Sequence, residues 1–166
     1  MTWLVDADVL IEASKHHYGF DFCPGFWQWL LDRNGSGRVV SLESVREEIE
    51  QGHDDLKVWA TGRDENFFLP PDEATAMALA RVGGWALSRP YLEPARIKFL
   101  TSADGFLVAH GLAHGHTVVT HERANWPFSP KRVVIPHACE AMGVRCCSPF
   151  QMLREEKARF VLGARP

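Results

Sequence analysis

Five acidic residues lie where an α/β sheet would gather a ligand. Asp6 directly follows the first apolar run of the chain, and Asp8 comes two residues later. Glu122 follows a later apolar run, and Asp104 begins the helical segment before that run. Glu48 lies on another helical segment, with Val45 and Ile49 as apolar neighbours on the helix. Because parallel sheets bind ligands beyond the carboxyl ends of their strands, these five side chains are expected to share one pocket.

Converging carboxylates without matching Lys or Arg side chains repel one another, and this repulsion raises their pKa values. A divalent cation removes that cost because it supplies the missing positive charge. Ligation by oxygen atoms alone favours Mg²⁺ or Mn²⁺ over zinc. The acids together therefore predict a Mg²⁺ or Mn²⁺ site. Each acid also has an ordinary explanation by itself: a helix cap for Asp8 or Asp104, a solvated helix position for Glu48 and a turn for Glu122.

Short apolar strands and helical segments alternate along the chain, and their alternation positions the acids. Strands are predicted at residues 2–5, 39–40, 116–120, 132–136 and 144–146, and helices at 9–13, 26–33, 45–52, 54–61, 72–82, 94–100, 103–114, 137–142 and 149–162. Two prolines make residues 67–71 extended, and residues 83–94 are predicted to form a loop near the site. This pattern indicates an α/β fold whose parallel sheet is covered by helices on both faces.

Composition limits the class of protein. The length of 166 residues and the hydrophobic content of 46% predict one domain, residues 1–166, with a sizeable core. The net charge of −3 argues against non-specific coating of DNA or of an anionic membrane, since both need a strongly basic surface. The N-terminus does not resemble a signal peptide, and no window is apolar enough to cross a bilayer. The four cysteines form no CxxC pair, so a cytoplasmic location is expected.

Four motifs resemble, in the same order, those of the PIN-domain nuclease family. Residues 6–11 (Asp-Ala-Asp-Val-Leu-Ile) resemble the first-strand signature, and residues 48–52 (Glu-Ile-Glu-Gln-Gly) resemble the family's Glu-apolar-x-x-Gly. Residues 103–109 (Ala-Asp-Gly-Phe-Leu-Val-Ala) resemble the third-acid helix, and residues 118–122 (Val-Val-Thr-His-Glu) resemble the strand that ends in Thr-x-Asp. Residues 20–27 (Phe-Asp-Phe-Cys-Pro-Gly-Phe-Trp) are similar to a bacterial PIN-like branch that is catalogued as a domain of unknown function and resembles toxins.

The resemblance implies a three-layer α/β/α PIN-like fold with a central, mostly parallel sheet. It also implies a Mg²⁺- or Mn²⁺-dependent endoribonuclease that hydrolyses RNA phosphodiester bonds as the toxin of a type II toxin–antitoxin pair. The principal metal ligands would be Asp6, Glu48 and Asp104, with Glu122 in support. The implied partners are an RNA substrate, a cognate antitoxin protein and a second copy of the chain in a homodimer.

Three positions depart from the family pattern. Glu122 replaces the more frequent Asp, Asn125 stands where many relatives carry a further Asp, and Asp8 adds a charge where Ser, Thr or Asn is frequent. Asp8 or Glu122 is a candidate proton acceptor, and Thr120 is a candidate for hydrogen-bonding a carboxylate. Basic residues near the motifs are candidates for contacting RNA phosphates: Lys15, Arg96, Lys98, Arg123, Lys131 and Arg132.

Other interpretations stay open. A catalytically inactive PIN-like module that binds RNA or protein would keep the fold without the activity. A Rossmann-like nucleotide binder is disfavoured because no glycine-rich turn follows the first strand. His110, His114 and His116, with His121 nearby, suggest a transition-metal site. No Glu follows the first of them in the hydrolase pattern and no Cys completes a ligand set, so surface or partly buried histidines are favoured.

Overall fold

A five-stranded parallel sheet forms the centre of the fold in the computed structural model, which describes residues 1–163. The strands are Trp3–Val5 (β1), Val39–Leu42 (β2), Phe68–Leu69 (β3), Thr117–Val119 (β4) and Cys146–Cys147 (β5). Their order is β3-β2-β1-β4-β5, and every neighbouring pair is parallel. The chain therefore changes direction across the sheet between β1 and β4, where such sheets bind ligands. The end of the predicted domain, residues 164–166, lies outside the described residues.

Helices cover the sheet, and this cover explains why the strands read as continuous apolar runs. Trp3, Leu4 and Val5 of β1 are fully buried. The helices are Ala7–Glu12 (α1), Pro24–Gly35 (α2), Glu43–Glu50 (α3), Asp55–Thr61 (α4), Glu73–Ser88 (α5), Glu93–Thr101 (α6), Ala103–His114 (α7), Ile135–Met142 (α8) and Pro149–Glu155 (α9). Within residues 1–163, none of them combines the length and the apolar character that crossing a bilayer requires. The predicted fold class, three layers around a parallel sheet, is confirmed.

Helix α5 continues well beyond its predicted end. The sequence predicts that this helix ends at residue 82 and that a loop follows to residue 94, but α5 runs through Gly83 and Gly84 to Ser88. Val82 and Ala86 are one turn apart and fully buried, so packing on that face outweighs the cost of about 1 kcal/mol that each glycine imposes on a helix. The loop prediction was therefore wrong for most of this segment.

The strand predicted at residues 132–136 was also wrong. Arg132 makes an isolated bridge with Ser129, and α8 already begins at Ile135. Pro136 lies in the first turn of α8, where its missing N–H costs nothing and its fixed φ favours a helix start. As a result, the N-terminus of α8 points its Ile135 N–H at the Glu122 carboxylate.

A buried acid next to α9 shows how this fold neutralises a carboxylate. Helix α9 ends at Glu155, so the helix predicted to residue 162 is too long. The next residue, Glu156, is buried and accepts hydrogen bonds from Trp3 Nε1, at 2.8 Å, and from the Arg38 guanidinium. Burial alone would raise the pKa of Glu156, but these partners lower it below its ordinary value.

Candidate active site

Asp6 links the end of β1 to the start of α1. It is 4% exposed, and its Oδ1 accepts a hydrogen bond of 2.6 Å from the Ala7 N–H, so Asp6 is the N-cap of α1. The sequence assigned that cap to Asp8, which instead lies in the first turn of the helix. The difference matters because a carboxylate that caps a helix directly after a strand is held at the carboxyl edge of the sheet.

The Thr120 hydroxyl holds two carboxylates side by side. Thr120 Oγ1 lies 2.9 Å from Asp6 Oδ2 and 3.0 Å from Asp8 Oδ2, and it also accepts the Glu122 N–H at 3.2 Å. The His121 N–H donates to Asp8 as well, at 3.0 Å. One hydroxyl proton cannot satisfy two carboxylate oxygens at once. The pair formed by Asp6 and Asp8 therefore needs an additional proton or cation.

The predicted acids share a cavity of about 770 Å³ above the sheet. Seven carboxylate side chains line it: Asp6, Asp8, Glu12, Glu47, Glu48, Asp104 and Glu122. Among the described lining residues, the permanent positive charges are those of Lys98 and Arg132. The structure thus brings together all five acids singled out in the sequence, from four separate segments of the chain, and leaves them with a large excess of negative charge.

Burial raises the pKa values of these acids, and the excess of negative charge adds to the rise. Burial raises the pKa of Asp6 well above its ordinary value, and the charges of Asp8 and Asp104 add to the rise. Burial likewise raises the pKa of Asp104 to about 6, with contributions from Glu122 and Glu48. The pKa values of Asp8 and Glu48 are also raised, chiefly because surrounding protein atoms displace water from them. The fully ionised form of the pocket is therefore electrostatically unfavourable.

Two of the acids are free to bind a ligand. Within residues 1–163, neither the Glu48 nor the Asp104 carboxylate accepts a hydrogen bond, and burial and neighbouring charges alone shift their pKa values upward. No three carboxylates in the described part of the chain place oxygen atoms within 4.8 Å of one another, as expected where like charges repel.

Glu122 differs from Glu48 and Asp104 because its carboxylate already accepts hydrogen bonds from the protein. Arg132 donates to Glu122 Oε1, and the Ile135 N–H at the start of α8 donates to Oε2 at 2.7 Å. To bind a metal ion directly, this carboxylate would have to release at least one of those donors, so its supporting role stays a prediction. Asn125 lies on an exposed segment and is not among the described residues that line the pocket.

Sequence reasoning missed several residues that line the pocket. Glu12 lies one helical turn after Asp8 on α1, and that spacing could have revealed it. Ser44 has a buried hydroxyl with no hydrogen-bond partner among the described residues, and Trp126 brings an exposed aromatic ring. No local signal marks Ser44 or Trp126, because both reach the pocket only through the packing of distant segments.

Gly105 allows α7 to place Asp104 in the pocket. A Cβ atom at this position would lie 2.5 Å from the Phe99 carbonyl oxygen and 3.1 Å from the Leu100 Cα atom. Both are backbone atoms of α6, which cannot rotate aside as the end of a side chain can. The close approach of α6 and α7 therefore requires glycine directly after the acid.

We expect Gly105→Ala to lower the free energy of unfolding by about 1–3 kcal/mol, as overpacking typically does. Urea denaturation measures the change. The matched control is Gly84→Ala on α5, where a Cβ atom would meet nothing within 4 Å. That variant should be unchanged or more stable by up to about 1 kcal/mol. Equal stability of the two variants would show that the contact between α6 and α7 is not rigid.

Comparison with known proteins bears on the family and on the fold. A family model described as "Domain of unknown function (DUF4411)" matches residues 3–160. The "Crystal Structure of FitAcB from Neisseria gonorrhoeae" is similar with a TM-score of 0.53 and 16% sequence identity, over 90% of this chain and 99% of that chain. No curated protein matches the sequence. At this identity the structural likeness supports the fold alone, and the PIN assignment stays a prediction consistent with both findings.

Proposed function

The chain belongs to the family described as "Domain of unknown function (DUF4411)", and from this premise we propose that it is a metal-dependent endoribonuclease. The observation that carries the proposal is the convergence of acids from the end of β1, from α3, from α7 and from the segment after β4 on one cavity. Along the chain, these acids occur in the same order as the acids of the PIN-domain motifs.

The donor set fits a hard divalent cation. Asp6, Glu48 and Asp104 would hold Mg²⁺ or Mn²⁺ through carboxylate oxygens, which these ions prefer. When bound, such an ion lowers the pKa of a coordinated water and stabilises negative charge on a phosphate. The raised pKa values of Asp6 and Asp104 support this assignment, because a cation would relieve the repulsion that contributes to them.

The other groups of the pocket would orient the reaction and move its proton. Thr120 keeps the Asp6 and Asp8 carboxylates in a fixed relation, and Asp8 is the candidate acceptor for the proton of the attacking water. Lys98 brings positive charge to the pocket for an RNA phosphate. Water would form a bond to phosphorus while the bond to the 3′ oxygen breaks. The products are then a 5′ phosphate and a 3′ hydroxyl.

The biological role we propose is that of the toxin in a type II toxin–antitoxin pair. The resemblance of residues 20–27 to a toxin-like bacterial branch supports it, together with the match to a family of unknown function. A cognate antitoxin protein, a homodimer and a cytoplasmic location belong to the same proposal. They follow from the resemblance rather than from a particular surface of the molecule.

An inactive binding module is the second candidate, and one contact favours it. Arg132 neutralises Glu122 from within the pocket, so one of the four acids of the family pattern is already paired. In such a module the remaining acids would bind a cation weakly or not at all, and RNA or a protein would bind without being cleaved.

RNA cleavage distinguishes the two candidates. We expect the purified protein to cut single-stranded RNA with Mn²⁺ or Mg²⁺ and to stop when EDTA is added. Analysis of the new ends should find 5′ phosphates and 3′ hydroxyls. If the protein binds the RNA but does not cleave it with either Mn²⁺ or Mg²⁺, the inactive module is favoured. Cleavage that persists in EDTA, or that leaves 2′,3′-cyclic phosphates, would exclude the proposed mechanism.

A further inference from the structure

A second cluster of metal-ligating side chains joins α5 and α7. Asp72, His110 and His114 each place one ligand atom within 4.8 Å of the others, and in the described part of the chain no other group of three does so. His110 and His114 lie one turn apart on α7, and Asp72 is the N-cap of α5. Asp104 of the acidic pocket precedes His110 by six residues on the same helix, a rise of about 9 Å.

His110 has a buried nitrogen without a partner. The residue is 3% exposed, and its Nδ1 lies 3.0 Å from the Thr75 hydroxyl. Its Nε2 is buried and has no hydrogen-bond partner among residues 1–163. A buried nitrogen left unpaired costs about 1–3 kcal/mol. If Nδ1–H donates to Thr75, the lone pair of Nε2 is available to a ligand, which is the arrangement that orients metal-binding histidines.

The neighbouring side chains supply further donors. Asp72 Oδ2 lies 2.8 Å from His114 Nε2. Gly115 ends α7 with a φ of 68°, and the chain reverses so that the His116 ring lies 5.2 Å from the His110 ring and 5.7 Å from the His114 ring, measured between centroids. The Nδ1 of His116 is also buried, with no partner in the described structure. The His116 ring therefore lies beside the cluster formed by Asp72, His110 and His114.

The charge states of these groups suit a metal ion. Burial lowers the pKa of His110 to about 4, and the nearby His114 and His116 add to that shift. Burial also lowers the pKa of His116. Hydrogen bonds from Thr75 hold the pKa of Asp72 at about 2. At neutral pH the His110 and His116 imidazoles are thus unprotonated, and the Asp72 carboxylate is ionised.

We propose that Asp72, His110, His114 and His116 form a second metal site, for Zn²⁺, which fastens the start of α5 to the end of α7. Zinc prefers tetrahedral sets of imidazole and carboxylate ligands, whereas Mg²⁺ and Mn²⁺ favour oxygen. Asp72 and His114 are 42 residues apart in sequence, so a bound ion would restrain a long segment of the chain. The site is separate from the acidic pocket and does not depend on RNA cleavage.

Zinc binding to tag-free protein tests the proposal. The Asp6→Asn/Asp104→Asn double variant is used as the background, so that the acidic pocket does not contribute. After dialysis against ZnCl₂, elemental analysis should find one equivalent of zinc, and the melting temperature should rise. Co²⁺ should give the intense visible absorption of a tetrahedral complex. These readouts are independent of nuclease activity, so their failure and the failure of the proposed function are distinguishable.

Two further substitutions in that double variant test where the Zn²⁺ ion binds. His114→Gln removes a ligand on the protein surface, and Thr75→Val removes the hydroxyl beside His110 with little change in shape. Thr75→Val should weaken zinc affinity by about 10–100-fold. His114→Gln should weaken it by at least about 100-fold and should abolish the tetrahedral Co²⁺ spectrum. The control His53→Gln alters an exposed histidine elsewhere and should bind like the background protein. The proposal is overturned if the background protein binds no stoichiometric zinc, or if His114→Gln binds zinc as tightly as His53→Gln does.

Discussion

Asp104→Asn should slow metal-dependent RNA cleavage by at least about a hundredfold, the scale for losing a central electrostatic contribution. The substitution keeps the shape of the side chain and deletes one negative charge. Within residues 1–163 the Asp104 carboxylate accepts no hydrogen bond, so the change breaks no existing network. The loss would therefore reflect a missing ligand rather than a damaged fold. Initial rates on one single-stranded RNA, at saturating Mn²⁺, measure the effect.

The matched control makes the same chemical change on an exposed surface. Asp32 lies on α2, is exposed and bonds to Gln28, and Asp32→Asn should cleave RNA like the wild type. Comparable rates for the wild type, Asp32→Asn and Asp104→Asn would mean that a contaminating nuclease or another site is responsible. Equal losses in both variants would point to instability, which circular dichroism would reveal.

Substitutions of two other acids, Asp6 and Glu122, test the assigned roles in the same cleavage assay. Asp6→Asn should slow cleavage as much as Asp104→Asn does, because it also removes a metal ligand. Asparagine can still cap α1, so the start of the helix is kept. Glu122→Gln should cost less, because Arg132 and the Ile135 N–H already hold that carboxylate. A larger loss for Glu122→Gln than for Asp6→Asn would reverse the assignment of principal and supporting residues.

The same variants test the toxin role in cells. Induced expression of the wild type in a bacterial host should stop growth, and Asp104→Asn should not. Growth arrest by both proteins would separate toxicity from cleavage. Normal growth with an active wild-type enzyme would argue against the toxin role and leave the nuclease proposal standing.

The sequence predicted the layered sheet because its strongest signals are local. Apolar runs such as the one before Asp6 mark strands buried on both faces, and glycines after helices mark their ends. One error comes where tertiary packing overrides local preference, and the other where a local helix-start signal outweighs the apolar strand pattern. Helix α5 passes through two glycines because its buried face continues, and residues 132–136 give way to α8 because Pro136 favours a helix start.

The candidate site was predictable as a set of acids but not as a network. Strand ends and motif order predict that Asp6, Glu48 and Asp104 lie near one another. The contacts that set their chemistry join distant segments of the chain. For example, Thr120 donates a hydrogen bond to Asp6, and the two residues are 114 positions apart. The cluster of Asp72, His110 and His114 illustrates the same limit, since the histidine spacing is visible in the sequence but the carboxylate partner, Asp72, is not.

Removing the Asp104 charge should stabilise the metal-free protein while it abolishes activity. The pKa of Asp104 is about 6 in the folded state, against an ordinary value of 3.8. Between these values the folded state binds more protons than the unfolded state, so stability falls as pH rises. The penalty is complete about one pH unit above the folded-state pKa and amounts to at most about 3 kcal/mol. Asp104→Asn should therefore unfold at a higher urea concentration at pH 7.5 in EDTA, and like the wild type below pH 4.

Manganese should reverse that order, because an ion that binds only the folded state stabilises it by mass action. At a concentration a thousand times its dissociation constant, the gain is about 4 kcal/mol for the wild type and much smaller for Asp104→Asn. The control Asp32→Asn should follow the wild type in EDTA and in Mn²⁺, because its charge lies outside the pocket. If Asp104→Asn were less stable than the wild type at both pH values in EDTA, Asp104 would be a structural residue. The repulsion that we take as the sign of a metal site would then not exist.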